Sequence, residues 1–203
     1  SEAPLQELLP AGFVTVSNKE LPRAEWQLQA PGLIWDIVRG AEPEIAITWF
    51  TRQAHDRLPL ANDLFFPDEF LTQLKQAPPL IQSGQIQTLI LRGTPGSDRL
   101  RVGGFLARAL GRSLVQVSSM GASGMTAEQQ ALLVPLCTLT HAMPLFEYDL
   151  NPGEQSPLPT LAGYNGPRLI AMSLVGGLQQ SGAENLVTLT LPETHLRERY
   201  QQW

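Results

Sequence analysis

Ile86-Gln87-Thr88-Leu89-Ile90-Leu91-Arg92-Gly93-Thr94-Pro95-Gly96-Ser97-Asp98-Arg99, followed by a second apolar stretch at Leu114-Val115-Gln116-Val117-Ser118, decides the fold. Leu89-Ile90-Leu91 is continuously apolar, the pattern of a strand covered on both faces. A Gly/Pro loop comes next. Val102, Phe105, Leu106, Ala109 and Leu110 then fall at helical spacing, and Gly111 ends that helix. Its other face carries Arg101, Arg108 and Arg112. Gly103 and Gly104 each weaken the helix by about 1 kcal/mol relative to alanine, which implies close packing against a sheet or simple tolerance. Leu114 to Ser118 is the second strand.

The alternation continues toward the C-terminus. Thr126 and Gln129 have the spacing of a capping box. They open a helix with Leu132, Leu133, Leu136, Leu139 and Met143 on one face. Leu145 to Leu150 is strand three, and a Gly/Pro-rich loop fills 151–167. Leu169 to Ser173 is strand four and Leu186 to Leu191 strand five. Strands separated by helices predict an α/β fold with a parallel sheet and right-handed crossovers.

Before Ser83 the pattern is helical. Residues 1 to about 30 read as a loop-rich lead-in. Leu33, Ile34, Ile37 and Val38 keep helical spacing. Pro43 opens a second predicted helix, in which Ile45 pairs with Trp49 and Ala46 with Phe50, and Pro59 ends it. A third starts near Pro67, with Asp68 and Glu69 in its first turn and Phe70, Leu71 and Leu74 as its stripe. Pro78-Pro79 is expected to stop it. The expected division is a helical N-terminal region, 1–82, and an α/β domain, 83–203.

Composition narrows the function classes. The 203 residues carry a formal charge of −5, so the chain as a whole gives no electrostatic footprint for nucleic acid. A single cysteine, Cys137, excludes an internal disulfide and a cysteine metal site. His55, His141 and His195 show no ligand spacing. No apolar run is long enough to span a bilayer, and no signal peptide is visible, so no membrane role and a cytoplasmic setting are expected.

The loop after the first strand is where phosphate chemistry belongs. A working phosphate-binding loop reads G-x-x-x-x-G-K-[ST]: the second glycine lets amides close on the phosphates, the lysine neutralises charge, and the hydroxyl holds magnesium. Aligned from Gly93, the loop Gly93-Thr94-Pro95-Gly96-Ser97-Asp98-Arg99-Leu100 places Asp98 at the glycine, Arg99 at the lysine and Leu100 at the hydroxyl. No lysine follows Lys75, so no offset restores the motif. Asp98 sets a carboxylate at a helix N-terminus that should attract an anion. The competing reading is a plain strand-to-helix turn with Ser97 or Asp98 as N-cap. Asp149, at the end of strand three, is the candidate magnesium ligand, and Leu150 follows it. Glu147 shares its face and needs a partner, with Arg92 or Arg108 as candidates. Ser173 ends strand four, the position for a polar γ-phosphate sensor. From Leu169 to Leu196 there is neither lysine nor arginine, so an arginine finger is missing from that segment. Gly121-Ala122-Ser123-Gly124 is not a nucleophile elbow, because Gly124 follows the serine directly.

Gly93-Thr94-Pro95-Gly96-Ser97, then Ala107-Arg108-Ala109-Leu110-Gly111-Arg112, then the Asp149 strand, together resemble the large α/β subdomain of an AAA+ ATPase over about Gln85 to Trp203. Leu191-Pro192-Glu193 followed by Arg197-Glu198-Arg199-Tyr200 is similar to the link from the last strand to that family's helical lid, and the lid itself is absent. The resemblance implies a P-loop NTPase-like five-stranded parallel sheet of order 5-1-4-3-2, flanked by helices. It also implies ring assembly and, in active members, ATP-driven remodelling of protein partners. The helical lead-in is similar to tandem AAA proteins of bacterial operons, which makes the chain the expected first module of a longer protein. With the loop substituted, the expected role is structural or regulatory, toward protein partners or a second AAA+ module and with no bound cofactor. The alternatives are a nucleotide-binding ATPase using ATP and magnesium through residues 93–100, Ser173 and Asp149, and an adaptor that works through its N-terminal helices.

Overall fold

The run Thr88–Arg92 is buried from its first residue to its fourth, and it becomes the second strand of a seven-stranded sheet. In this computed structural model the described residues are 8–9, 12–40, 46–47, 49–94, 96–120, 125–179 and 185–192. Pro43, Pro95, the Gly121–Gly124 loop and the expected lid link from Glu193 onward lie outside them.

The chain divides into two compact units. One comprises Ser1–Pro43, Met125–Ala142 and Pro159–Asn165; the other comprises Glu44–Gly124, Met143–Leu158 and Gly166–Trp203. In the first unit β1 (Thr15–Ser17) and β2 (Gln27–Gln29) form an antiparallel hairpin. It is followed by α1 (Gly32–Val38). The sheet unit begins with β3 (Ala46–Ile47), β4 (Phe50–Gln53) and α2 (Asp68–Gln82). It continues with β5 (Thr88–Arg92), α3 (Arg99–Ala109) and β6 (Ser113–Met120). Then come α4 (Ala127–Leu139), in the first unit, β7 (Ala142–Tyr148), β8 (Gln155–Pro157), β9 (Arg168–Met172), β10 (Gly177–Gln179) and β11 (Leu186–Thr190).

The large sheet has the order β11-β5-β9-β7-β6-β4-β3. β5 runs parallel to both β11 and β9, and β9 parallel to β7. β4 runs antiparallel to β6, with Phe50 opposite Val117, and β3 antiparallel to β4. The fold is therefore α/β, as the alternation predicts, but the sheet is mixed and has seven strands instead of five parallel ones. The two extra strands come from the segment expected to be a helix after Pro43. The i,i+4 pairs Ile45–Trp49 and Ala46–Phe50 fit a helix, yet the aromatic and β-branched run also fits a strand. The free edge of β6 decides between them, because its unpaired backbone groups need partners. Phe50 is fully buried as a result.

α2 corrects a second expectation by running through Pro78 and Pro79 to Gln82. Phe70, Leu74, Ala77, Pro78 and Ile81 are all buried, so the packed stripe extends past the two prolines. These side chains share one core with Val102, Phe105 and Leu106 of α3 and with Leu89, Leu91, Leu145, Leu169 and Ala171 of the sheet. On the opposite face of the sheet, Ile90, Phe146, Ile170 and Met172 are equally buried.

α3 lies tight on that core, which explains its two glycines. A Cβ on Gly103 would overlap Leu145 Cδ1, and one on Gly104 would lie 2.8 Å from Pro59 Cδ. The arginine face of α3 braces the chain before α2. Arg101 Nη2 donates to the Asp63 carbonyl at 2.7 Å, and Arg108 Nη1 donates to the carbonyls of Asp56 and Leu58.

In the first unit, α4 starts with the expected capping box. The Gln129 N–H donates to Thr126 Oγ1 at 3.2 Å, and the Thr126 N–H to Gln129 Oε1 at 2.9 Å. Cys137 is buried on this helix. Trp35 of α1 is 54% exposed beneath the Arg39 guanidinium, so it anchors no core. Among the described residues, no helix is long and apolar enough to cross a membrane.

Candidate functional site

Strand register assembles the candidate site. Thr190, Arg92, Met172 and Tyr148 form one row across β11, β5, β9 and β7. Each strand ends there, and the residues that follow leave the sheet at one carboxyl edge: Leu191, Gly93, Ser173 and Asp149. The Gly93 N–H donates to the Met172 carbonyl at 3.2 Å, and the Leu191 N–H to the Arg92 carbonyl at 2.7 Å. Three residues widely separated in sequence, Gly93, Ser173 and Asp149, are thus brought to the edge where open α/β sheets bind ligands.

The loop from Gly93 to α3 is closed on itself. The Ser97 N–H donates to the Thr94 carbonyl at 3.0 Å, and Gly96 takes a φ of +78° that side chains other than glycine adopt rarely. That amide is therefore committed within the loop. A Cβ on Gly93 would overlap Ser97 Oγ and lie 3.3 Å from Arg99 Cγ, so the Ser97 side chain and the Arg99 stem sit directly over Gly93. Asp98 occupies the N-cap position of α3 without a side-chain cap. Its carbonyl accepts from Val102 N–H at 2.9 Å. Leu100, in the magnesium-hydroxyl position, packs against the hydrophobic core. Ser97 Oγ and Arg99 Nη1 are buried and have no hydrogen-bond partner among the described residues.

The far side of the row is equally committed. Ser173 Oγ donates to the Val175 carbonyl at 3.0 Å, so the candidate sensor hydroxyl bonds within its own loop. Arg92 Nη1 donates to the carbonyls of Ser173 at 3.2 Å, Leu174 at 3.3 Å and Gly176 at 3.4 Å, and Nη2 donates to Gly176 at 3.3 Å. Asp149 lies just beyond β7 and is exposed, whereas Leu150 is buried. A Cβ on Gly176 would lie 2.6 Å from Leu150 Cβ, so Leu150 packs under that loop. Glu147 takes neither arginine as its partner: Gln116 Nε2 donates to its Oε2 at 3.3 Å. Arg92 and Arg108 are drawn off to backbone carbonyls instead.

A cavity of about 270 Å³ opens at the end of β11, lined by Phe70 and Gln73 of α2 with Thr190 and Leu191. Glu69 also lines it, which sets an acid beside an apolar wall. Among the described residues no group of three or more His, Cys, Asp or Glu side chains is gathered as a metal site. The positions aligned with the phosphate and magnesium grips carry other groups. Leu100 supplies no oxygen and packs against the core, the Ser173 hydroxyl donates within its own loop, and the Ser97 amide donates to the Thr94 carbonyl.

Tyr148, in the same row, is 2% exposed, and its hydroxyl donates to the Pro157 carbonyl at 3.2 Å. Burial pushes its pKa up to about 12, partly offset by a hydrogen bond with Ser156. The folded value exceeds the unfolded one, so the fold prefers the protonated phenol. That preference is fully present below about pH 10 and is lost as pH rises toward 12. Stability is expected to fall across this window and to fall less in Tyr148→Phe. Urea melts at stepped alkaline pH check it, and equal slopes for the two proteins would contradict it.

No protein-family model matches the chain, and no curated protein matches it.

Proposed function

We propose that the chain is a degenerate AAA+-like module, a non-hydrolysing part that positions protein partners or a second, active module. The observation that carries this reading is the row at the carboxyl edge: Gly93, Ser173 and Asp149 come together at the strand ends, while the Ser173 hydroxyl and the Ser97 amide are bonded within their own loops. The neighbour order β11-β5-β9-β7-β6 supports it, since in chain order those strands read 5-1-4-3-2. Asp98, Arg99, Leu100 and Leu150 replace the glycine, lysine, hydroxyl and glutamate that hydrolysis needs. On this reading the chain contributes a surface for its partners.

Phosphate release from ATP with magnesium tests it. The chain is expected to release none above the blank, and release lost in Asp149→Ala would overturn the reading.

One observation favours a second reading, in which the loop still holds an anion. Ser97 Oγ and Arg99 Nη1 are buried donors without partners at the start of α3, and such groups cost about 1–3 kcal/mol each when unsatisfied. On that reading Arg99→Ala abolishes nucleotide binding measured by calorimetry. No heat of binding in the natural chain sinks it.

A further inference from the structure

We propose that Arg92 is a built-in strap, which fastens the loop after β9 to the end of β5 and holds that loop in one position. The inference rests on reading that edge as a former nucleotide site, and it adds how the edge is kept in one state.

Register sets the geometry. Arg92 is the last residue of β5 and stands level with Met172, so residues 173–176 leave β9 beside its side chain. Gly176 turns that loop at φ +79° toward β10. The carbonyls of Ser173, Leu174 and Gly176 converge there on one guanidinium. Three converging carbonyl dipoles repel one another unless a cation or a set of donors lies between them. Arginine supplies both, in a planar fork that reaches several acceptors at once, which a lysine ammonium does not reproduce.

Among the described residues little else ties the tip of the loop. Leu174 and Val175 are 48% and 44% exposed, so apolar burial does not hold them. The remaining ties lie within the loop or at its end: Ser173 Oγ to the Val175 carbonyl, Gly176 over Leu150, and the Gly177 N–H to the Glu154 carbonyl at 2.9 Å. Among the described residues no carboxylate pairs with Arg92; its acceptors are all neutral carbonyls. In a site that opens and closes on a ligand, the ligand joins the end of one strand to the loop after the next. Here the Arg92 side chain makes that join, beside the exposed Leu174-Val175 tip.

The test is amide exchange on the full chain, in the natural protein, Arg92→Ala and Arg92→Lys. Gly177 and the β10 amides are expected to exchange at least about tenfold faster in both variants, with Ile90 and Leu106 unchanged, as local opening requires. Lysine keeps the charge but not the fork, so it is expected not to rescue. If Arg92→Ala does not fold, Arg92→Lys alone decides. Exchange at Gly177 within about twofold of the natural protein overturns the strap. Acceleration spread evenly over β5, β9 and the loop also overturns it, because Arg92 would then be a general stabiliser. ATP with magnesium, added to the natural chain, is expected to leave these rates unchanged. A change there defeats the former-site reading, while the two Arg92 variants still decide whether the strap exists.

Discussion

Leucine in place of Gly103 is expected to destabilise the sheet unit by about 3 kcal/mol, the upper range for overpacking a filled core. A single Cβ at this position already overlaps Leu145 Cδ1 and approaches Leu169 Cδ1 to 3.4 Å. Both leucines are fully buried in the same core as Val102 and Leu106, so neither has space to move into. The rest of a leucine side chain would lift α3 off the sheet and shift the loop that begins at Gly93. Alanine is expected to be milder, since it gains about 1 kcal/mol of helix propensity over glycine. Urea denaturation checks both variants. A leucine variant with an unchanged midpoint would contradict the close approach of α3 to β7.

The second large effect concerns the loop. Asp98→Gly, Arg99→Lys and Leu100→Thr together are expected to create ATP binding that the natural chain is not expected to show. The triple change removes a carboxylate from the start of α3, restores a phosphate-binding ammonium and adds a magnesium-binding hydroxyl. Gly93, Ser173 and the exposed Asp149 already stand in one row beside it. At a ligand concentration about a hundredfold over the dissociation constant, binding raises stability by about 2.7 kcal/mol. A melting curve of the variant that ATP with magnesium does not move would contradict the reading of this edge as a former nucleotide site.

Two of the strands that carry the site, β5 and β9, were legible because each holds an unbroken apolar run. Leu89-Ile90-Leu91 and Leu169-Ile170-Ala171 have one local solution, a strand buried on both faces. β3 and β4 were not legible in that way. Ile45 with Trp49 and Ala46 with Phe50 satisfy helical spacing as well as a strand does, and the deciding partner is the edge of β6, far along the chain. α2 passed its prolines because Pro78 and Ile81 find burial beyond them, which depends on tertiary packing. β8 and β10, three residues each, are too short to carry a pattern.

The site divides in the same manner. Gly93, Ser173 and Asp149 were readable as strand-end residues, and register brings strand ends together. The fate of their polar groups was not readable. Arg92 finds its acceptors 81 to 84 residues away, and they are backbone carbonyls, which leave no trace in side-chain identity. The partner of Glu147 was missed for a related reason. The two arginines considered for it were taken by main-chain oxygens, and the neutral Gln116 on the adjacent strand took their place.

A thermal-shift titration of the natural chain with ATP and magnesium decides whether this edge has lost its nucleotide. The melting temperature is expected to stay constant across the titration, because Asp98, Arg99 and Leu100 replace the glycine, lysine and hydroxyl that grip phosphate and magnesium. A melting temperature that climbs with ATP, and stays flat when Arg99 is replaced by alanine, would contradict the loss and make this edge a working nucleotide site.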